Sequence, residues 1–139
     1  MKYLVIGLGN FGSTLAATLT DMGHSVIGVD CNEHCIEEIK DRIDLAYIMD
    51  ATERVSLRSL PLDEIDCVIV AIGQSMDSSL RTVASLKELK VKNIIARALD
   101  NTHSSILRAM DIKKILIPES YAARIFAEKI LSNDSGELL

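Results

Sequence analysis

The sequence predicts an α/β fold in which helices cover both faces of a six-stranded parallel sheet. Three observations support this prediction. Six short apolar runs alternate with amphipathic stretches along the 139 residues, glycines cluster directly after the first run, and an acidic residue ends the second. Because parallel strands need crossover connections, and these are right-handed, such alternation produces a three-layer, doubly wound sheet. Two halves of three strands predict the Rossmann-like strand order 3-2-1-4-5-6.

Each half of the chain contributes three predicted strands, each followed by a helix. The strands are expected at residues 3–6, 25–30, 45–49, 66–71, 93–97 and 114–117. The helices are expected at residues 11–22, after the N-cap Asn32, from the N-cap Thr52 to about 59, at 76–89, from Thr102 to about 110, and at about 120–131. In the helix at 76–89, the residues expected to be buried are Leu80, Val83, Ala84, Leu86 and Leu89. We therefore expect one domain at residues 1–132, followed by a polar tail at 133–139.

Composition excludes several classes of protein. The chain has 15 Lys and Arg against 20 Asp and Glu, a net charge of −5, so no basic surface for nucleic acid is expected. The absence of Trp, with only two Phe and three Tyr, also leaves few platforms for base stacking in nucleic acids. No apolar run approaches the roughly 20 residues that span a bilayer. Three cysteines form no disulfide framework and no export signal is evident, so we expect a cytoplasmic protein that does not insert into the membrane.

The strongest motif is Gly7-Leu8-Gly9-Asn10-Phe11-Gly12, which lies between the first predicted strand and its helix. Gly7 permits a tight turn, Gly9 lets the backbone approach a pyrophosphate, and Gly12 allows the helix to pack closely on the sheet. Asp30, at the end of the second strand, is placed to accept hydrogen bonds from ribose hydroxyls. The structural alternative is a tight turn and a helix-capping aspartate, but this context favours a dinucleotide site. A carboxylate at Asp30 repels a 2′-phosphate, which favours NAD or an adenosine nucleotide over NADP.

Further candidate residues follow the other strands at the same edge of the sheet. Asp50 could hydrogen-bond an adenine amino group, and the Gly73 backbone could lie against the ligand. Capping of the loop by Asp50 and Thr52 explains the same residues equally well. Arg97 suits a phosphate, with an ion pair to Asp100 as the alternative.

No catalytic or zinc site is predicted. Cys31 and Cys35 stand four residues apart, but no other Cys or His completes a zinc set. No His has both a nucleophile and an Asp in the arrangement that a hydrolase needs.

The order of the motifs resembles the N-terminal, nucleotide-binding (TrkA-N) domain of the Trk/Ktr potassium-uptake regulators, also called the RCK domain. The resemblance covers residues 1 to about 132. Besides the glycine motif, the matching stretches are Val29-Asp30, Asp50-Ala51-Thr52, residues 68–73, residues 93–98, His103 and Ile117-Pro118-Glu119.

The resemblance implies a cytosolic regulatory subunit, held at the inner face of the membrane by a potassium channel or transporter. Such subunits form homo-oligomers, as dimers or an octameric ring, bind NAD(H), ATP, ADP or AMP, and gate ion uptake by changing shape. The nucleotide-binding positions carried over are Gly7, Leu8, Gly9, Asn10, Phe11, Gly12, Asp30, Cys31, Asp50, Ala51, Thr52, Ala71, Ile72, Gly73 and Arg97. Glu119 corresponds to a glutamate that in some members holds a divalent cation near the phosphates.

The chain departs from the family at Asn10, where many ATP-responsive members have Arg, and this favours NAD(H), ADP or AMP. Full-length regulators also continue into a C-terminal ligand-binding domain, so the chain is either a one-domain member or part of a longer protein.

The competing function is the cofactor half of an NAD-dependent oxidoreductase, which would need a second domain for its substrate. The last helix either packs on its own sheet or crosses to a neighbouring subunit, and the family favours the second.

Overall fold

A computed structural model describes residues 1–132, so the predicted tail at 133–139 lies outside the described residues. Its six strands are all parallel and lie in the order 3-2-1-4-5-6, as predicted. The strands are β1 (Lys2–Ile6), β2 (Ser25–Asp30), β3 (Leu45–Ile48), β4 (Cys67–Val70), β5 (Ile94–Arg97) and β6 (Lys114–Leu116). The helices are α1 (Asn10–Asp21), α2 (Glu33–Ile39), α3 (Arg54–Arg58), α4 (Met76–Glu88), α5 (Asn101–Ala109) and α6 (Pro118–Leu131). A 3₁₀ helix at Leu62–Glu64 precedes β4.

The apolar core forms two layers, one on each face of the sheet. In one layer, Ala16 of α1 and Ile36 of α2 pack with Val5 of β1. In the other, helices α3, α4 and α5 contribute Leu57, Val83, Leu86 and Leu107. Burial on both faces explains why the central strands β1 and β4 are continuous apolar runs, whereas the edge strand β3 is largely exposed.

The topology places a crevice at the carboxyl ends of the central strands. Strand β1 pairs with β2 on one side and with β4 on the other, so the chain reverses its winding direction between β1 and β4. At the ends of these strands, Ile6 lies beside Val29 and Val70. Ligands in open α/β sheets bind outside the carboxyl ends of strands at such a reversal.

The helix starts follow the predicted capping in one case and depart from it in two. Asn32 caps α2 by accepting a 2.9 Å hydrogen bond from the His34 N–H. The prediction that Thr52 caps α3 is wrong, because α3 begins at Arg54 and Thr52 is instead bonded to Asp50. Helix α5 begins at Asn101 with Asp100 as its N-cap, one residue before the predicted start.

Helix α4 buries more hydroxyl groups than its apolar pattern predicts. Val83 and Leu86 are buried as expected, whereas Leu80, Ala84 and Leu89 are only partly buried. The other buried positions are polar: Ser79, Thr82 and Ser85. The face of α4 that is buried in the structure therefore differs from the face that its apolar residues alone would define.

Helix α6 stands apart from the core. It begins at Pro118, a residue suited to the first helical turn because its missing N–H would have no partner there. No residue of α6 is buried against the described part of the chain, so the interpretation that it packs on its own sheet is wrong. Among residues 1–132 no helix is long and apolar enough to cross a membrane.

Candidate functional site

The glycine motif forms a tight loop between β1 and α1, and each glycine has a different environment. Gly7 has a φ of +96° and donates its N–H to the Val29 carbonyl at 2.9 Å. A Cβ on Gly12 would lie 1.8 Å from the Gly7 carbonyl oxygen, so a side chain there is excluded. A Cβ on Gly9 would meet no atom within 4 Å, because Gly9 faces open space at the start of α1.

That open space is part of a cavity of about 560 Å³ at the carboxyl edge of the sheet. The cavity brings together most of the residues that the sequence singled out. They are Gly7, Gly9, Asn10, Phe11, Asp30, Cys31, Asp50, Ala51, Thr52, Ala71, Ile72, Gly73, Arg97 and Glu119. Leu8 and Gly12 do not line it, since Leu8 is buried in the core and Gly12 packs against Gly7.

The first turn of α1 opens on this cavity without a side-chain cap. Its N-cap residue is Gly9, which has no side chain to cap the helix, and within residues 1–132 the structure shows no side-chain cap at this helix start. The first N–H groups of a helix have no partner within the helix, and the helix dipole makes this end favourable for an anion. The loop is therefore suited to a phosphate or pyrophosphate.

Asp30 links the glycine loop to the start of α2. Its Oδ2 accepts the Leu8 N–H at 2.7 Å, and its Oδ1 accepts the Asn32 N–H at 2.8 Å. A carboxylate has about four lone-pair sites, so each oxygen can still accept a hydroxyl from a ligand. Burial raises the pKa of the nearby Cys35 thiol, and the negative charge of Asp30 raises it further.

Asp50 and Thr52 form a small turn at the rim of the cavity. Asp50 Oδ1 accepts both the Thr52 N–H at 3.0 Å and the Thr52 hydroxyl at 2.6 Å. This contact corresponds to the loop-capping alternative for the pair, although Thr52 does not cap α3. Both residues nevertheless line the cavity, and Asp50 keeps its second carboxylate oxygen for another partner.

Arg97 lies between the cavity and helix α6. The guanidinium pairs with Glu119 Oε2 at 2.9 Å, so its ion-pair partner is not Asp100, the alternative that the sequence left open; Asp100 instead caps α5. Its Cζ lies 5.5 Å from the Phe11 ring centroid, within cation–π range, and a Cβ on Gly73 would lie 2.7 Å from Arg97 Nη1. Its Nε is buried and has no hydrogen-bond partner among residues 1–132.

The described residues do not build a metal site by themselves. No group of three or more His, Cys, Asp or Glu side chains within residues 1–132 is arranged to hold an ion. Glu119 is exposed and paired with Arg97. A cation at Glu119 would therefore need further oxygen ligands from phosphates or water.

One wall of the cavity is not predicted from the sequence. Gln74, Ser75, Ser78 and Thr82 line it from the start and first turns of α4. The apolar spacing of the helix predicts only its buried apolar residues and carries no information about these polar ones. The spacing of the two hydroxyls at positions 78 and 82 could have indicated this second face.

Comparison with known proteins identifies related sequences and folds. The family model of the TrkA-N domain matches residues 3–118. The Ktr system potassium uptake protein C of Bacillus subtilis is 35% identical over 133 residues, covering 96% of this chain and 60% of that protein. Protein A of the Ktr system of Bacillus subtilis is 37% identical over 118 residues, covering 85% of this chain and 53% of that protein. The chain thus spans little more than half the length of these relatives.

Solved structures share the fold. The NAD(P)-binding domain of an exopolyphosphatase-related protein from Archaeoglobus fulgidus superimposes with a TM-score of 0.81 at 26% identity, covering 94% of this chain and 97% of that one. The GsuK channel bound to NAD superimposes with a TM-score of 0.77, covering 90% of this chain and 23% of that one. At 16% identity, the second likeness concerns the fold alone.

Proposed function

The chain belongs to the TrkA-N domain family, and from this premise we propose that it binds an adenine nucleotide and regulates potassium uptake. The observation that carries the proposal is the uncapped start of α1, which opens on the same cavity as Asp30. An anion-binding helix end beside a ribose-binding carboxylate is the arrangement that a dinucleotide or adenosine phosphate requires. The two Ktr relatives, both named as potassium uptake proteins, support regulation over the oxidoreductase alternative.

In the proposed complex the phosphates lie at the glycine loop and the ribose lies at Asp30. Asn10, at the start of α1, supplies no positive charge for a third phosphate. NAD(H), ADP or AMP is therefore favoured over ATP. A divalent cation near the phosphates would use the Glu119 carboxylate, since oxygen ligands suit Mg²⁺ and Ca²⁺.

Arg97 provides a physical connection between nucleotide and helix α6. In the described residues its guanidinium is paired with Glu119, in the first turn of α6. A bound phosphate offers a further negatively charged acceptor for the Arg97 guanidinium and competes with Glu119 for it. Nucleotide binding then changes the attachment of α6 to the domain, and a ligand with different affinity for two positions of α6 shifts their populations.

Helix α6 is proposed to join neighbouring subunits. Its apolar residues are exposed: Tyr121 by 54%, Ile125 by 43%, Phe126 by 49% and Ile130 by 50%. Covering this face with a second copy would bury it in a homo-oligomer, either a dimer or an octameric ring. We place that assembly in the cytoplasm, held at the inner face of the membrane by a potassium channel or transporter.

Mass spectrometry of small molecules released from the purified protein tests the nucleotide proposal. We expect NAD(H), ADP or AMP in stoichiometric amount, and calorimetry should give a dissociation constant for the same compound. Recovery of no nucleotide, together with no heat of binding for NAD, NADH, ADP, AMP or ATP, would overturn the proposal.

A further inference from the structure

The wall of the cavity formed by α4 contains a hydroxyl that the protein leaves unsatisfied. The Thr82 side chain is completely buried, and its Oγ1 has no hydrogen-bond partner among residues 1–132. Ser78 lies one turn earlier on the same face, is only partly buried, and lines the same cavity. A buried donor and acceptor without a partner is uncommon in folded proteins and lowers their stability.

Two other helical hydroxyls among residues 1–132 are satisfied locally. Thr18 donates to the Thr14 carbonyl at 2.7 Å, and Ser105 donates to the Asn101 carbonyl at 3.0 Å. This bond to the carbonyl four residues earlier is the usual local solution for Ser and Thr in a helix. Within residues 1–132 the Thr82 hydroxyl makes no such bond to the Ser78 carbonyl, and Thr82 lines the cavity.

The surroundings of Thr82 indicate which part of a nucleotide would reach it. Ile6, Val29 and Ala51 line the cavity and also belong to the apolar cluster that contains Val83 of α4. This end of the cavity is therefore apolar and lies on the α4 side of the sheet, whereas α1 packs on the opposite side. A planar base suits an apolar slot that contains a few polar groups, and phosphates do not.

We propose that Thr82 is a specificity-determining residue whose hydroxyl hydrogen-bonds the polar edge of the nucleotide base. This inference rests on the proposed nucleotide-binding function. The phosphates lie at α1, the ribose lies at Asp30 between the two ends of the cavity, and the base enters the apolar slot beside α4. Ser78, nearer the opening, forms the same wall.

The test compares Thr82→Val with Thr82→Ser by calorimetry, using ADP as the probe. Valine has nearly the shape of threonine but no hydroxyl, so ADP affinity should fall about threefold to tenfold. The melting temperature of the ligand-free protein should stay the same or rise, because an unsatisfied hydroxyl has been removed. Thr82→Ser keeps a hydroxyl and should retain most of the wild-type affinity for ADP. The control Thr18→Val, on the exposed face of α1, should leave the affinity for ADP unchanged.

An NMR titration with ribose 5-phosphate shows whether the base is the part of ADP that contacts Thr82. Ribose 5-phosphate carries no base, so Thr82→Val should not change the affinity of the protein for it. Equal losses for ADP and ribose 5-phosphate, or an unchanged ADP affinity in Thr82→Val, would overturn the assignment of Thr82. If Thr82→Val does not fold, loss of ADP affinity in Ser78→Ala supports the same wall and unchanged affinity contradicts it. Failure of the wild-type protein to bind any adenine nucleotide would instead refute the proposed function itself.

Discussion

Asp30 holds two segments of the candidate site together and also lines the cavity. The hydrogen bonds to Leu8 and Asn32 use both oxygens, so the carboxylate positions the glycine loop and the start of α2. Removing it therefore affects stability as well as binding. A matched control is needed to separate the two effects, and Asp44 provides one, because its carboxylate accepts the Val26 N–H of β2 at 2.7 Å.

Asp30→Ala should weaken binding of the adenine nucleotide by roughly tenfold or more. The ribose loses a charge-assisted hydrogen bond worth about 1.5–3 kcal/mol. Calorimetry gives the affinity and thermal denaturation gives the stability. Asp44→Ala should lower stability to a similar extent and leave affinity unchanged. If both variants bind as tightly as the wild-type protein, Asp30 does not contact the ribose.

Gly9→Val should abolish nucleotide binding while the domain still folds. The added side chain meets no protein atom within 4 Å at its Cβ, so it occupies the space in front of α1 where the phosphates are expected. Valine is a poor N-cap residue and should cost about 1 kcal/mol of stability. Gly12→Val is the contrasting variant, because its Cβ would lie 1.8 Å from a carbonyl oxygen and should prevent folding. A folded Gly9→Val protein with native affinity would place the phosphates elsewhere.

At the scale of elements, His103 joins α5 to α4 and to the end of β5. The Leu99 N–H donates to His103 Nδ1 at 2.9 Å, so the neutral ring carries its proton on Nε2 and donates it to Ser79 Oγ at 3.1 Å. The ring is completely buried, and burial lowers its pKa, although the nearby Asp100 carboxylate acts in the opposite direction. The neutral ring is therefore the form that fits this junction.

Stability should fall when the pH is lowered through the ordinary pKa of histidine, about 6.5. Below that value the unfolded chain binds a proton that the folded chain does not, so the free energy of unfolding decreases by at most about 1.4 kcal/mol per pH unit. Asn in place of His103 retains an acceptor for Leu99 but does not titrate. Urea denaturation between pH 7.5 and 5.5 should therefore give a smaller pH dependence for His103→Asn than for the wild-type protein. His34→Asn, an exposed control, should keep the wild-type dependence, and the same dependence in all three proteins would contradict this role.

In the whole molecule, α6 is the element whose apolar residues are left exposed by the rest of the described chain. Its apolar residues are about half exposed, and its described ion pair to the rest of the chain runs from Glu119 to Arg97. A helix attached to the site at its first turn and apolar beyond it can transmit the state of the site to a neighbouring subunit.

The protein should form at least a dimer at micromolar concentration, and Ile125→Asp combined with Phe126→Asp should dissociate it. The two carboxylates would be forced into an apolar interface, where an unpaired charge is strongly unfavourable. Light scattering gives the mass, and circular dichroism checks that the fold is retained. Lys129→Asp adds negative charge on the polar side of α6 and should leave the oligomer intact. A monomeric wild-type protein would refute assembly through α6.

The strand order and most of the rim of the candidate site could be predicted from local patterns in the chain. Buried parallel strands are continuous apolar runs, and right-handed crossovers leave few topologies, so the strand order could be predicted. Gly7 and Gly9 lie in the loop after β1 and Asp30 ends β2, and parallel topology brings such positions to one edge. These inferences need only local patterns and general rules of chain connection.

The tertiary structure decided which side chains meet across the fold. Arg97 pairs with Glu119 rather than with nearby Asp100, because Asp100 is used by the first turn of α5. Thr82 lines the cavity on the same helix whose Ser79 contacts His103 of α5, a contact between separate helices. Helix α6 has no buried residue because no other described element covers it. Each outcome depends on the packing of elements distant in sequence, which local periodicity and capping patterns do not determine.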